Sequence, residues 1–176
     1  MSESKQPLVA VIMGSVSDGD VAEKALEVLR QFEVPYEVGV KSAHRTPARM
    51  LEYAKGVQAR GIQIVIAIAG GSAHLPGMVA SETSLPVLAV PVRRSQKGQG
   101  DEARKSSIAM PPGIPLAVFG DNAGDRAALF AVRVLGLSDS ELYTKYVNSQ
   151  SEMTASVAAQ DEQIQENGWE KFWSEQ

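Results

Sequence analysis

Two histidines occur in the chain, and both sit in the tripeptide Ser-Ala-His: Ser42-Ala43-His44 and Ser72-Ala73-His74. Imidazole is the side chain whose ordinary titration brackets neutral pH, so two matched loops that carry it point to proton transfer at one shared site. A single histidine is often structural; the repeat argues against that for this pair. Arg45, next to His44, offers a forked guanidinium to a phosphate or carboxylate, with a surface ion pair as the bland alternative. A second candidate group is Gly14-Ser15-Val16-Ser17-Asp18. Its hydroxyls and the N–H groups of a helix start can cradle a phosphate, whereas Asp18 suits helix capping or sugar hydroxyls better than an anion. Plain capping uses the same residue types. The third group is Gly70-Gly71-Ser72-Ala73, where two residues without Cβ let the backbone approach a flat ligand, although a tight strand-to-helix turn also needs one glycine.

Each group follows a predicted strand. Leu8–Met13 is apolar throughout, Tyr36–Lys41 forms the second strand, and Ile62–Ala69 is the most β-like run and is expected at the centre of the sheet. Val87–Val90 and Leu116–Phe119 complete five strands. Between them lie amphipathic segments: Gly19 to about Phe32, with Val21, Ala25, Val28, Leu29 and Phe32 on one face, and a helix with Pro47 in its first turn, Met50, Leu51, Ala54 and Val57 inward, and Gly61 at its end. This alternation predicts an α/β fold, a doubly wound parallel sheet in a three-layer αβα arrangement. In such a sheet ligands bind beyond the carboxyl ends of the strands, which makes the three loops neighbours. The polar stretch Arg93–Ser107 reads as a functional or mobile loop. Arg126–Leu135 is apolar nearly all round, so its outer face reads as a subunit contact, and Leu142, Tyr146, Met153 and Val157 continue at helical spacing into a C-terminal helical extension. Residues 1–160 are expected to be one catalytic domain, with 161–176 a polar tail docked through Trp169, Phe172 and Trp173.

Composition narrows the chemistry. The 176 residues fit one domain, with 44% apolar and 22% charged positions typical of globular chains. Seventeen basic against 21 acidic residues give a net charge of −4, and no basic tract is long enough to follow a nucleic acid. Without cysteine there is no disulfide, thiolate nucleophile, zinc-thiolate site or iron–sulfur cluster, which fits the cytoplasm. Met1–Pro7 lacks the order of an export signal and no apolar run suits a membrane span, so neither export nor anchoring is expected. The Gly-x-Gly-x-x-Gly, Walker, His-Glu-x-x-His and Gly-x-Ser-x-Gly motifs are missing too. What remains is a cofactor-free, metal-free acid–base enzyme for a small phosphorylated ligand, with His44 or His74 as proton carrier.

Five motifs in this order, Gly14-Ser-x-Ser-Asp18, Ser42-Ala-His-Arg-Thr-Pro47, Ala69-Gly-Gly-Ser-Ala-His-Leu-Pro-Gly-Met78, Pro86-Val-Leu-x-Val-Pro-Val92 and Met110-Pro-x-Gly-Ile-Pro115, make residues 7 to 150 resemble the carboxyaminoimidazole ribonucleotide mutase family of purine biosynthesis. The Ala-His-Leu-Pro-Gly-Met segment resembles the mutase class more than the carboxylase class. The resemblance implies a flavodoxin-like core, an octamer with the C-terminal helix over a neighbouring subunit, shared active sites, and no cofactor. It implies a carboxylate moved from the exocyclic nitrogen of an imidazole ribonucleotide to a ring carbon, with His44 shuttling the proton. Gly14, Ser15, Ser17, Asp18, Ser42, Ala43 and Arg45 would hold phosphate and ribose, and Gly70, Gly71, Ser72, Ala73, His74 and Leu75 would wall the base and carbon dioxide. An ATP-dependent carboxyaminoimidazole ribonucleotide synthetase would be a functional partner. Arg93–Ser107, Ala109 and Arg126 depart from the family pattern. The alternatives are a direct carboxylase or decarboxylase, a paralogue for a related ribonucleotide, and a non-catalytic nucleotide-binding protein.

Overall fold

Val9–Met13 (β1) is apolar at every position and buried at every position, the pattern of a strand covered on both faces. The structure, a computed structural model, describes residues 6–94 and 101–174. β1 pairs in parallel with Tyr36–Val40 (β2) on one side and Ile64–Gly70 (β3) on the other, and Val87–Val92 (β4) and Ala117–Val118 (β5) extend the sheet to the order β2-β1-β3-β4-β5. The expected parallel, doubly wound, flavodoxin-like sheet is present, with β3 at its centre.

Helices cover both faces because every inner strand alternates two apolar sets. Ala10 and Ile12 of β1 with Val65, Ala67 and Ala69 of β3 form one core with Met50 and Ala54 of Pro47–Gly56 (α2), Leu75 and Val79 of His74–Ala80 (α3), and Ala103 of Glu102–Ile108 (α4). The opposite face is covered by Gly19–Gln31 (α1), which buries Val21, Ala22, Ala25, Leu26 and Leu29, and by Gly124–Leu135 (α5), which buries Ala127, Ala128, Ala131 and Val132. α5 packs on α1 so closely at its start that a Cβ on Gly124 would collide with the Val21 carbonyl oxygen. Its outward positions are Arg126, Phe130 and Arg133, so this helix is two-faced rather than apolar all round, and Phe130 meets Phe119 edge-on at 5.6 Å.

The stretch after β4 and the end of α2 also differ from the sequence reading. Arg93–Ser107 is not loop throughout: Glu102–Ile108 is helical, and residues 95–100 lie outside those described. That helix buries only Ala103 and Ser107, one turn apart, with the Ser107 hydroxyl donating to the Ala103 carbonyl at 2.8 Å, so no apolar stripe betrayed it. The helix predicted to end at Gly61 instead breaks after Gly56 into a short 3₁₀ turn, Gln58–Arg60, that Gly61 closes.

Contacts divide the chain into two compact units between Val134 and Leu135. The second holds Ser140–Asn167 (α6) and Trp169–Ser174 (α7). The Asp139 carboxylate caps α6 by accepting from the Glu141 and Leu142 N–H groups at 3.0 Å. α6 carries Leu142, Tyr146, Met153 and Val157 as the spacing predicted and runs through residue 160, where the sequence had placed a boundary; Trp169 and Trp173 stack at 5.2 Å on α7. No helix of the described residues is long and apolar enough to cross a membrane.

The β2 edge is pinned by charge rather than by burial. Glu37 accepts from Arg60 Nη2 at 2.9 Å and from the Tyr53 hydroxyl at 2.5 Å, while Lys41 and Arg60 lie over the Tyr53 ring. Burial pushes the Glu37 carboxyl up, but the hydrogen bonds from Arg60 and Tyr53 outweigh it and leave it below its ordinary value. A depressed carboxyl stabilises the fold above its unfolded titration range, and that contribution is lost as pH falls through the folded value. Urea midpoints should therefore fall towards acid pH, and less steeply in Glu37→Gln. Met50 is fully buried in the α2 core, and Met50→Ala should cost about 2–5 kcal/mol in the same unfolding measurement.

Candidate active site

The parallel register brings the carboxyl ends of three strands level: Met13 sits beside Val40 of β2 and Ile68 of β3. The segments that follow these strands enclose a cavity of about 460 Å³. After β1 it is lined by Gly14, Ser15, Ser17 and Asp18; after β2 by Ser42, Ala43, His44 and Arg45; and at the end of β3 by Gly70, Gly71, Ala73, His74 and Leu75. Every candidate residue from the sequence reaches this cavity except Ser72, which is exposed and not part of the lining.

Local backbone explains the turn after β3. Gly71 has φ +61°, the left-handed conformation that glycine adopts without steric cost, and Ala73 takes φ +34° at the N-cap of α3. Such a φ is costly for a residue with a Cβ, and the buried Ala73 holds it where it turns the chain into the helix that begins with His74. Of the two glycines, Gly71 is thus the one the turn itself demands.

The two imidazoles meet. His44 Nε2 lies 2.8 Å from His74 Nδ1, with ring centroids 4.9 Å apart and planes at 78°. A hydrogen bond between two imidazole nitrogens requires one to donate and the other to accept, so the tautomers of the pair are coupled. Both rings are exposed in the single chain.

On the β2 side of the cavity, Arg45 is tethered by Nη2 to the Gly14 carbonyl at 3.2 Å and by Nε to the Ser42 hydroxyl at 3.3 Å. These contacts fix the guanidinium beside the β1 turn instead of in a surface ion pair. The capping alternative divides between two residues: Ser15 Oγ accepts from the Ser17 N–H at 3.3 Å, as a cap does, while Asp18 stands at the N-cap of α1 with no side-chain capping bond. The serine hydroxyls and Arg45 can together cradle an anion, and the histidine pair beside them can act as an acid–base couple. Among the described residues no group of three or more His, Asp or Glu side chains is arranged to hold a metal ion.

Sequence reasoning missed three lining residues: Ala69, Val92 and Arg94. Ala69 was read as the end of a strand and the start of a family motif but not as part of the site, and Val92 lies past the predicted end of β4, which extends two residues further than its apolar run suggested. Arg94 Nη2 donates to Asp18 Oδ1 at 3.1 Å and to the Ser17 carbonyl. Its signal was position, directly after a strand at the ligand edge; the strand order that brings β4 within reach of β1 was not visible in the sequence.

Comparison with known proteins agrees with the fold and with the family resemblance. The chain is 44% identical over 173 residues to the N5-carboxyaminoimidazole ribonucleotide mutase of Pyrococcus horikoshii, covering 98% of this chain and 97% of that one. It is 46% identical over 173 residues to the phosphoribosylaminoimidazole carboxylase of Candida glabrata, of which it spans 30%. The crystal structure of Treponema denticola PurE superposes with a TM-score of 0.78 at 30% identity, covering 93% of this chain and 99% of that one. Residues 8–156 match the AIR carboxylase family, and with relatives this similar over nearly its whole length the chain belongs to that family.

Proposed function

We propose that the chain is an N5-carboxyaminoimidazole ribonucleotide mutase of purine biosynthesis, a cytoplasmic enzyme that moves a carboxylate from the exocyclic nitrogen of an imidazole ribonucleotide to a ring carbon. The observation that carries this reading is the hydrogen-bonded pair His44–His74 beside the cradle of Ser15, Ser42 and Arg45. The near-complete coverage of the Pyrococcus horikoshii mutase supports it.

In this reading Gly14, Ser15, Ser17, Ser42, Ala43 and Arg45 hold the phosphate end, Asp18 accepts from ribose hydroxyls, and Gly70, Gly71, Ala73, His74 and Leu75 wall the base and carbon dioxide. Ser72 stands outside that wall. The carbamate N–C bond breaks, carbon dioxide leaves, and the nitrogen keeps the electron pair and takes a proton. The ring carbon, made nucleophilic by the free amine, then attacks carbon dioxide, and His44 removes the ring proton to restore aromaticity. One proton enters and one leaves, so a relay between two coupled imidazoles serves both steps without a cofactor. The substrate carbamate is labile, which makes an ATP-dependent synthetase of that carbamate the natural functional partner.

Carbon dioxide lost to water is lost to the reaction, so the site needs cover. The exposure of both imidazoles in one chain therefore favours an assembly whose neighbouring subunits close each cavity, and the family resemblance makes that assembly a homo-octamer. Phe130 on α5 and Met153, Val157, Trp169 and Trp173 on α6 and α7 supply exposed apolar area for such contacts.

A direct carboxylase is the second reading, favoured by the similarity to the Candida glabrata enzyme. Purified protein should convert freshly made carboxyaminoimidazole ribonucleotide to the ring-carboxylated product without added bicarbonate, and His44→Asn should lose at least about a hundredfold in kcat. Conversion only of aminoimidazole ribonucleotide with bicarbonate would place the chain with the carboxylases, and no conversion of either by folded protein would leave a binding protein. Light scattering should give an octamer of the 18.8 kDa chain; a monomer would rule out shared sites.

A further inference from the structure

We propose that Arg94 is a positioning residue that aims the Asp18 carboxylate at the ribose hydroxyls and thereby sets the preference of the site for a ribonucleotide. The inference rests on the reading above, in which Asp18 accepts from those hydroxyls.

Asp18 is the one buried charged side chain among the described residues, at 5% exposure. It makes no capping bond to α1, so the helix does not account for its burial. A carboxylate taken out of water is costly unless it is paired, and the partner here is Arg94, whose Nη2 reaches Oδ1 at 3.1 Å. The same nitrogen donates to the Ser17 carbonyl, which anchors the guanidinium to the β1 turn at two points. Arg94 also approaches the exposed Asp20 Oδ1 at 3.9 Å, an outlying contact on the solvent side.

This geometry treats the two carboxylate oxygens differently. Oδ1 is committed to Arg94, whereas Oδ2 faces the Gly14 side of the turn and receives no hydrogen bond from a described donor. An ionised carboxylate only accepts, so the group suited to Oδ2 is a hydroxyl of the ligand, and an alcohol lacking from the ligand would leave that oxygen unpaired. Arg94 additionally cancels the charge of Asp18 within the cavity that Arg45 prepares for an anion. Gln in its place could still donate but would supply no charge; Lys would supply the charge without the fork.

Calorimetric titration with aminoimidazole ribonucleotide, and with its counterpart lacking both ribose hydroxyls, tests this on the full-length protein. The native chain should prefer the ribonucleotide by about tenfold or more. Arg94→Gln, with thermal unfolding confirming a native fold, should bind the two with nearly equal affinity, and Arg94→Lys should keep more of the preference than Arg94→Gln does. A preference that survives intact in Arg94→Gln overturns the proposal, as does an equal loss of both ligands, which would assign Arg94 to the phosphate or to the fold. Native protein that binds the ribonucleotide with the stated preference yet turns over nothing would sink the mutase reading alone. Failure of folded native protein to bind it at all would sink both.

Discussion

Met13, Val40 and Gly70 end three adjacent strands that all run the same way. Parallel pairing is the constraint on which the rest depends, because it requires the chain to leave every strand at one edge and return across a face through a helix. Whatever residues follow the strands are gathered there, with no further instruction. The cost of the arrangement is that the central strands lose water on both sides, and β1, β3 and β4 meet it with Val, Ile, Leu and Ala at nearly every position.

Rigidity at this edge comes from different sources in different loops. The β3 turn is held by backbone conformation, with Gly71 and Ala73 both left-handed ahead of α3. The β1 turn is held by guanidinium groups that approach from two directions: Arg45 on the Gly14 carbonyl and Arg94 on the Ser17 carbonyl. Between them the side chains that can move a proton, His44 and His74, are left exposed, coupled to each other instead of buried in the core. The Arg45 side of the cavity is thus fixed by the scaffold, while the imidazole pair stays open.

Much of this was legible because the relevant physics is local. β1, β3 and β4 declared themselves by apolar runs rich in β-branched residues, α1 and α2 by their three- and four-residue apolar spacing, and the cavity edge by hydroxyl, glycine and histidine residues placed straight after strands. Where local signals were weak the reading failed. α4 hid within a polar stretch because it buries only Ala103 and Ser107, and β4 continues past Val90 through Pro91 to Val92.

Sequence alone determined the αβα class, the loops that gather at one sheet edge and nearly the whole lining of the cavity there, since periodicity and turn chemistry are properties of neighbouring residues. Tertiary structure decided what depends on distance between remote residues. It brought His44 Nε2 to 2.8 Å from His74 Nδ1, left Ser72 outside the cavity, and carried Arg94 from the end of β4 over to Asp18. The physical reason is that strand order and register set these separations, and neither is written in the spacing of any one segment.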